Sequence, residues 1–508
     1  MGLSTTYTKT ETDYLLQQID KKVVDKFDEE DLTIVVENGT KKLKFADRPN
    51  TDGKGYKILR KNIVGGKNVL TQAMISSPNT IYEIRYDFDL NGATIKIPAG
   101  CTLKFLCGKF INGDVDFNNS NIDSDDKIIL ENITFKNIGN DTIKIIWFNI
   151  ITNADVNSSE KIQYLIDNIR DGQTLIFQKG VYIANLKIYR SNISLKGVVG
   201  TVLRSAANVN LNVIEVGNVK SDGKLVKNIE IDNFEIDGNA ANTPIPTVDL
   251  YGHGIIATYV QYSKFTNLYI HDCQITGMDI VIHSNYNFVK NVIVENINGP
   301  INYPAFDVNS AQYNIIDCIV RKSKYGFRLL DNCYGNVCNV SVTECVGGYG
   351  SFIITADQGN ICKSNIVTAV LHKCTYSGFI GYTTAQKNTT INNIINIIIS
   401  DMDADDPNLV AFTVGESASY NDITINTLNN PGSPLKCNGD YNNIKLISYK
   451  DGRNTTWASG LAAIYLKGSG NNIEATVDSD NLRGVVMDPT CLHNKVVLKF
   501  KSANGVTS

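Results

Sequence analysis

The residues of this 508-residue chain best placed to do chemistry together are Asp279, His283, Asp307 and Arg328. They fall in short apolar phrases that align when written one above another. The phrases are GIIATY from Gly254, DIVIHS from Asp279, AFDVNS from Ala305, GFRLLD from Gly326, SFIITA from Ser351, GFIGYT from Gly378, AFTVGE from Ala411 and PLKCNG from Pro434. The second column is Ile, Ile, five Phe and Leu, and the fourth is mostly apolar. In pleated strands those columns point inward, and columns one, three and five point out. Asp279 and His283 then stand outside on one level, Asp307 and Asn309 on the next, and Arg328 on a third. With strands about 4.8 Å apart and outward positions about 6.7 Å apart along a strand, the Asp279 and Asp307 Cβ atoms lie roughly 8 Å apart. Two carboxyls at about 6.5–9.5 Å leave room for a water and suit inverting glycoside hydrolysis; retaining chemistry needs about 5–5.5 Å. Arg328 would hold the charge of Asp307 or of an acidic group on a sugar. In a lyase, His283 or Arg328 would take a sugar proton beside a neutralised carboxylate. Glycan contact without cleavage fits the same residues. So does a plain structural role, with Asp307 and Arg328 as a surface ion pair and Asp279 shaping a corner after Gly277.

A long excursion, DGNAANTPIPTVDLYGHG from Asp237 to Gly254, interrupts the phrases just before this group. Loops of that length carry function more often than strands do. Folded over the same face, it would bring Asp249, Tyr251 and His253 to a ligand. Together with Asn309 these are the candidate substrate-binding residues. Tyrosines at 259, 262, 286, 303, 325, 334 and 349 cluster nearby. A tyrosine ring offers an apolar face and a hydroxyl, which suits sugars, and is equally an ordinary strand residue. SDMDADDPN (400–408) concentrates carboxylates, but it lacks the glycine of a calcium loop and is broken by Pro407. It reads as a solvated turn, so no metal and no cofactor is expected.

These side chains are positioned by a repeat. Second strands open at Asn267, Asn291, Asp317, Asn339, Asn365, Asn393, Asp422, Asn443, Asn472 and Asn494, spaced by 21 to 29 residues. One such unit cannot bury its own apolar face, so units must stack. Val and Ile dominate with period-two alternation, and Asn suits left-handed corners. The expected fold is all-β, a right-handed parallel β-helix. A sandwich or barrel would show Asn-Gly or Asp-Gly hairpin turns every 8–12 residues, and few occur after Lys264.

Residues 1–30 are expected to hold an amphipathic helix (8–27) with Thr8 and Glu11 at capping-box spacing, serving trimerisation and attachment. A hairpin around Asn38-Gly39 and a linker occupy 31–79; Leu59 to Ala73 fits a strand or a short helix. Residues 80–150 read as a small β region or first rungs, with Tyr82, Ile84, Tyr86, Phe88 and Leu90 on one face. A helix over Ser158–Arg170, capped by Asn157 and Glu160 and stopped at Asp171-Gly172, lies in a 151–190 segment that would cover the open end of the β-helix. The β-helix itself fills 191–503.

A net charge of −4 gives no pull toward nucleic acid or an anionic membrane. No apolar run is long enough to span a bilayer, and no signal peptide opens the chain, although MGLSTT fits a loose myristoylation pattern. Eleven cysteines without a CxxC pair argue against zinc or a disulfide framework and for a reducing cytosol. Cys273 and Cys345 share a slot that Ile297 fills in another repeat, which suggests small apolar residues stacked inside the coil.

LRKNIVGGKNVLTQAMISSPNTIYEIRYDFDLNGATIKIPAGCTLKF (Leu59–Phe105) resembles the N-terminal part of tail-fibre and tailspike proteins of phages, including crAss-like phages, of gut Bacteroidales. WFN followed by SSEKIQYLIDNIRDGQTLIFQKGVYIANLKI (Trp147–Ile188) resembles the start of the pectate-lyase-like β-helix of phage tailspikes, and YTKTETDYLLQQI resembles tail-fibre N-termini. The chain departs from that pattern at Asn149, where a Gly is common, and lacks the Asp-Gly…Asp run that normally comes next. The resemblance implies a virion appendage made in the host cytoplasm and released by lysis. It implies a homotrimer that joins other tail proteins through its N-terminus and meets a bacterial surface polysaccharide. Some relatives cleave such glycans by hydrolysis or elimination, and others only bind. A purely structural fibre component is the remaining reading.

Overall fold

A computed structural model describes residues 54–501 apart from 153–155, 219–222, 249, 300–302, 348–349, 358, 377, 382–388, 404–405, 407 and 454–460. It also gives the backbone of strands Leu32–Glu37 and Thr40–Phe45. The expected helix at 8–27, the MGLSTT opening and Asp249 lie outside the described residues. The chain divides into two units, 1–150 with 168–170, and 151–167 with 171–508.

In the first unit Leu32–Glu37 and Thr40–Phe45 pair antiparallel with Glu37 opposite Thr40, the hairpin expected from Asn38-Gly39. From Gly55 the strands stack in parallel. Gly55–Ile58, Thr80–Ile84, Thr102–Phe105 and Asn121–Asp123 form one sheet. Phe110–Asp116 pairs on one side with Phe88–Asp89 and Thr94–Lys96, and on the other with Leu130–Lys136. Parallel stacking therefore begins well before the helix in the sequence. The undecided stretch after Leu59 resolves into two short antiparallel strands, Ile63–Val64 and Lys67–Asn68, and a 3-10 turn at Gln72–Met74. Tyr82, Ile84, Phe88 and Leu90 are buried as their alternation requires. Tyr86 is only half-buried, because the strand ends at Ile84 and its ring lies under the Lys61 ammonium.

Near the start of the second unit lies the helix Ser159–Asn168, all but its last residue within that unit, whose first turn is capped by Asn157 accepting from the Ser159 N–H. Ile162, Leu165 and Ile166 form its buried stripe. The helix stops two residues short of Arg170, ahead of Gly172 at φ 85°. Beyond Gly172 the chain winds as a right-handed parallel β-helix. A long sheet runs from Thr174–Phe177 to Lys495–Lys501, and a twelve-strand sheet from Leu186–Ile188 to Arg483–Met487. Short third strands such as Cys362–Lys363, Thr390–Ile391 and Ala418–Ser419 join them. Every pairing between strands in this unit is parallel.

Two features of the interior fix the register. The first is an aromatic row: Phe306, Phe327 and Phe352 stack with ring centroids 5.6 and 6.2 Å apart. The alignment that put Phe379 next in this row is one residue out. Gly378 pairs with Phe352, and Phe379 pairs with Ile353 on the outer side. The vacant place at Gly378 is filled from the next rung by Phe412, whose ring would meet a Cβ there at 3.1 Å. An inward glycine beside an inward phenylalanine satisfies the packing that a pattern of large residues cannot anticipate.

The second feature is an asparagine ladder. Asn287, Asn314, Asn336, Asn365, Asn393, Asn421, Asn442 and Asn471 are all buried. The side-chain oxygen of each of the later seven accepts the backbone N–H of the one before. The residue ahead of each is a corner with positive φ, filled by Tyr286, Tyr313, Ser364, Asn392, Tyr420, Tyr441 or a glycine at 335 and 470. The asparagines chosen from the repeat mix several columns. Asn365, Asn393 and Asn494 belong to the ladder, whereas Asn267 and Asn291 sit in mid-strand at φ 54° and 55°. Asp422, Asn443 and Asn472 open their strands. Cys273, Ile297 and Cys345 are buried inside the coil as expected, and Cys374 joins them. Among the described residues no helix is long and apolar enough to cross a membrane.

Candidate functional site

Strand Met278–Val281 pairs with Phe306–Asn309, which pairs with Phe327–Leu330. Asp279 lies directly opposite Asp307, and Asp307 opposite Arg328. The three form one outward column on the twelve-strand sheet. This corrects the alignment, which set Asp279 two positions away from Asp307. The phrase beginning at Asp279 slides because Met278, not Ile280, is the inward partner of Phe306. In-register neighbours on adjacent strands are about 4.8 Å apart. The roughly 8 Å gap that favoured an inverting pair is therefore not what the backbone sets.

Both oxygens of Asp307 are engaged. Arg328 Nε donates at 2.9 Å to one and Nη2 at 2.6 Å to the other. The Asp307 side chain is 2% exposed, and the guanidinium lies over the Tyr303 ring, 5.5 Å from its centroid. Burial opposes the charge on Arg328, but the Asp307 carboxylate, with Asp279 further along the column, outweighs it and holds the pKa above the ordinary value. A forked pair of this kind is geometrically demanding, and breaking it strands a buried charge.

The histidine that meets Asp279 is His253, not His283. His253 Nδ1 is 3.6 Å from Asp279 Oδ2, and both side chains are buried. His253 is anchored by its rung: its N–H donates to Asn212 Oδ1 and its carbonyl accepts from Val213 N–H. His283 stands just past the end of its strand at a corner with φ 55°, and its exposed ring lies against Tyr259 at 5.7 Å. Asn309 is half-buried one outward position beyond Asp307, its side-chain oxygen accepting from the Ser310 hydroxyl.

The excursion before Gly254 is tied to the coil. Gln274 Nε2 donates to the Ala240 and Thr243 carbonyls, and Asn212 Nδ2 to the Leu250 carbonyl. Its end brings Tyr251, half-buried, within electrostatic reach of Tyr189. The Tyr189 hydroxyl donates to Glu215 Oε1 at 2.6 Å, and burial together with the Glu215 carboxylate pushes Tyr189 well above its ordinary pKa. Glu215 pairs with Ile256, and Ile256 with Asp279, so it belongs to the same column. Sequence reasoning missed Glu215 because the aligned phrases began at Gly254. Carried one rung back, the strand Ile214–Val216 puts Glu215 outward between two buried neighbours. The column thus sets Asp279 Oδ2 3.6 Å from His253 Nδ1, just beyond hydrogen-bond distance, and holds the Arg328 cation against Asp307.

Not every tyrosine suits a sugar. Tyr262, Tyr286 and Tyr313 stack nearly parallel at 5.3 and 5.1 Å, and Tyr420 and Tyr441 at 5.2 Å. Their facing surfaces are spent on each other. Tyr313 also covers Gly335, where a Cβ would meet the ring at 2.7 Å. Asp237, His271 and Asp272 have ligand atoms close enough to share a metal. However, Arg204 donates to Asp237 at 2.7 Å and His271 bonds Asp272 at 2.7 Å, which accounts for the cluster without one. In the acidic turn, Asp401 accepts from Asn429 and Asp406 from the Asn408 N–H.

No family model matches the chain, and no curated protein sequence does. Solved structures do. The N-terminal fragment of gene product 12 of bacteriophage Phi29 superposes with a TM-score of 0.53 at 14% identity, covering 70% of each chain. The A-module of the mannuronan C-5 epimerase AlgE6 of Azotobacter vinelandii gives 0.49 at 11%, over 70% of this chain and 99% of that one. The family 28 exopolygalacturonase of Yersinia enterocolitica gives 0.42 at 11%, over 72% and 79%. The fold shared with the Phi29 fragment is the parallel β-helix. At these identities the likeness concerns the β-helix alone.

Proposed function

We propose that the chain is a phage tail-fibre or tailspike subunit whose β-helix recognises a polysaccharide of the bacterial surface. The observation that carries this is the outward column of the twelve-strand sheet. In register it runs Glu215, Ile256, Asp279, Asp307, Arg328, Ile353, Phe379, Thr413, Lys436 and Tyr465. Glu215, Asp279 and Asp307 are buried, so a polymer laid along the coil would meet the column through Arg328, Phe379, Thr413, Lys436 and Tyr465, on rungs about 4.8 Å apart. The resemblance of Leu59–Phe105 to tail-fibre proteins supports the virion placement, and gene product 12 of Phi29 shares the fold. Recognition is preferred to cleavage because Asp307 is fully committed to Arg328. A cleaving reading rests on the Asp279–His253 contact, with Asp279 as the acid or base.

The test is to incubate the full chain with host capsular polysaccharide while tracking binding, new reducing ends and the ultraviolet absorbance of unsaturated uronates. Retained binding without product supports an adhesin. Reducing ends alone mean hydrolysis, and both signals mean a lyase. Neither binding nor product would leave a structural fibre component. In the cleaving case, Asp279→Asn should abolish product while Asp307→Asn lowers stability.

We further read the chain as assembling with copies of itself, the trimer that the resemblance implies, through the long sheet. Strands Val337–Thr343, Ile366–His372 and Ile394–Ser400 carry no Lys, Arg, Asp or Glu at any outward position. Val337, Ile366, Val370, Ile394 and Ile398 stand exposed there. Charge depletion over a flat aliphatic patch marks the centre of an interface. Ile366→Lys with Ile394→Lys should yield monomers by sedimentation; an unchanged assembly would exclude this face.

A further inference from the structure

A groove of about 550 Å³ lies on the last rungs of the twelve-strand sheet, far along the coil from Asp279. It is made by three successive strands. Lys436 pairs with Tyr465, and Tyr465 with Val486, so an ammonium, a phenol ring and an aliphatic side chain rise from one column. Lys467 and Asp488 come from the residues just after the second and third strands, and Val410 and Leu461 close the apolar side. The size is within the range of small-molecule sites, and the lining is mostly apolar with a few convergent polar groups, as such sites are.

We infer that this groove binds an acidic saccharide, with the uronate carboxylates of the glycan meeting Lys436 and Lys467 and a sugar ring lying against Tyr465. The inference rests on the glycan-recognition reading and assigns it a second site and a ligand class. Three observations carry it. The lining holds two lysines against one carboxylate, Asp488, in a protein whose net charge is −4. That carboxylate is turned to its own loop: Thr490 donates to it through both N–H and hydroxyl, and these bonds hold its pKa below the ordinary range. Lys467 reaches Glu416 at 3.1 Å across an exposed contact, an ion pair that a ligand carboxylate can replace at little cost. The apolar wall includes Val486 and Met487, both strongly exposed for their type, which suit the C–H faces of sugar rings. Both lysines stay wet, so attraction to an acidic chain is salt-sensitive and adds mainly selectivity and capture rate.

The experiment uses the full chain with tri-galacturonate, maltotriose and inorganic phosphate as probes, read by calorimetry and by two-dimensional NMR of ¹³C-methyl-labelled Met487. Tri-galacturonate is expected to bind and shift the Met487 signal, and maltotriose to bind at least about tenfold more weakly. Lys436→Glu and Tyr465→Ala should each weaken tri-galacturonate about tenfold or more with unchanged melting temperature, and Lys436→Arg should largely restore it. Equal binding of the two trisaccharides overturns the inference. So does competition by phosphate at equal concentration, which would mark a simple anion site, or indifference to Lys436→Glu. Host polysaccharide binding that survives Lys436→Glu and Tyr465→Ala sinks the groove and leaves recognition standing. Failure of the wild-type chain to bind any host glycan sinks recognition itself.

Discussion

Replacing Asn365 with alanine probes the bond pattern that sets the register of the coil. Asn365 is fully buried, and its oxygen accepts the Asn336 N–H and Asn336 Nδ2, each at 3.0 Å. Its own amide donates to the Cys333 carbonyl and to Asn393 Oδ1, each at 3.0 Å. Most partners keep a second bond after truncation. Asn336 Nδ2 retains the Ala311 carbonyl, the Cys333 carbonyl retains Lys363 N–H, and Asn393 Oδ1 retains the Asn365 backbone N–H. The Asn336 backbone N–H loses its acceptor inside the protein, which costs about 1–3 kcal/mol. Three further bonds at roughly 0.5–1.5 kcal/mol each bring the total to about 5 kcal/mol. The control is Asn339→Ala: the same amide, but exposed, with a single bond to Asp317 at 3.1 Å. It should cost under about 0.5 kcal/mol. Because a long repeat array need not unfold in one step, the readout is local amide exchange across 336–343 and 366–372 beside urea unfolding. Equal effects of the two substitutions, or a change below about 1 kcal/mol for Asn365→Ala, would refute the argument.

The same geometry sets the outcome of three other perturbations. Arg328→Leu leaves the Asp307 carboxylate buried without its fork and should cost about 3–5 kcal/mol in denaturant unfolding, with Arg328→Lys recovering only part. Asp451 accepts from Asn430 and Ser448 deep in the coil, and burial, only partly offset by those bonds, raises its pKa above 3.8. The folded state therefore binds this proton more tightly than the unfolded one, and stability falls as pH rises from about 4 through the folded pKa. Asp451→Asn should gain stability over wild type across that window and hold the gain at neutral pH; a melting profile in which the advantage shrinks as pH rises would contradict this. Gly335→Ala should displace the Tyr313 ring and strain a backbone at φ 63°, lowering stability by about 1–2 kcal/mol, while Tyr313→Ala in the same background removes the steric part.

The repeat was legible because burial on one face imposes period-two patterning on every strand, and Phe306, Phe327 and Phe352 made the interior row plain. Register was not, because rungs of unequal length hide where a strand starts. Inward positions can be small, as at Gly378, and a row is then completed from the neighbouring rung by Phe412. Asparagine carried three meanings at once: buried ladder, left-handed corner and exposed mid-strand bend. Only the neighbours in space tell Asn365 from Asn339. The same slip moved Asp279 from beside Asp307 to a diagonal. The group around Asp279 could be gathered from sequence, but its pairings could not: His253 is 26 residues from Asp279, and nothing in the spacing distinguishes it from His283.

Because each ladder amide links only to the turns directly above and below, nothing in the coil specifies its total height. Duplication of one whole turn would recreate the same bonds between the copies, so such a coil can lengthen or shorten in unit steps while the rungs on either side keep their packing. A gain of a single residue within a strand would instead turn that strand's outward acids or lysines toward the interior row. The distance along the coil between the Asp279 level and the groove beside Tyr465 is therefore a quantity that recombination can tune in increments of one rung, without inventing any new packing.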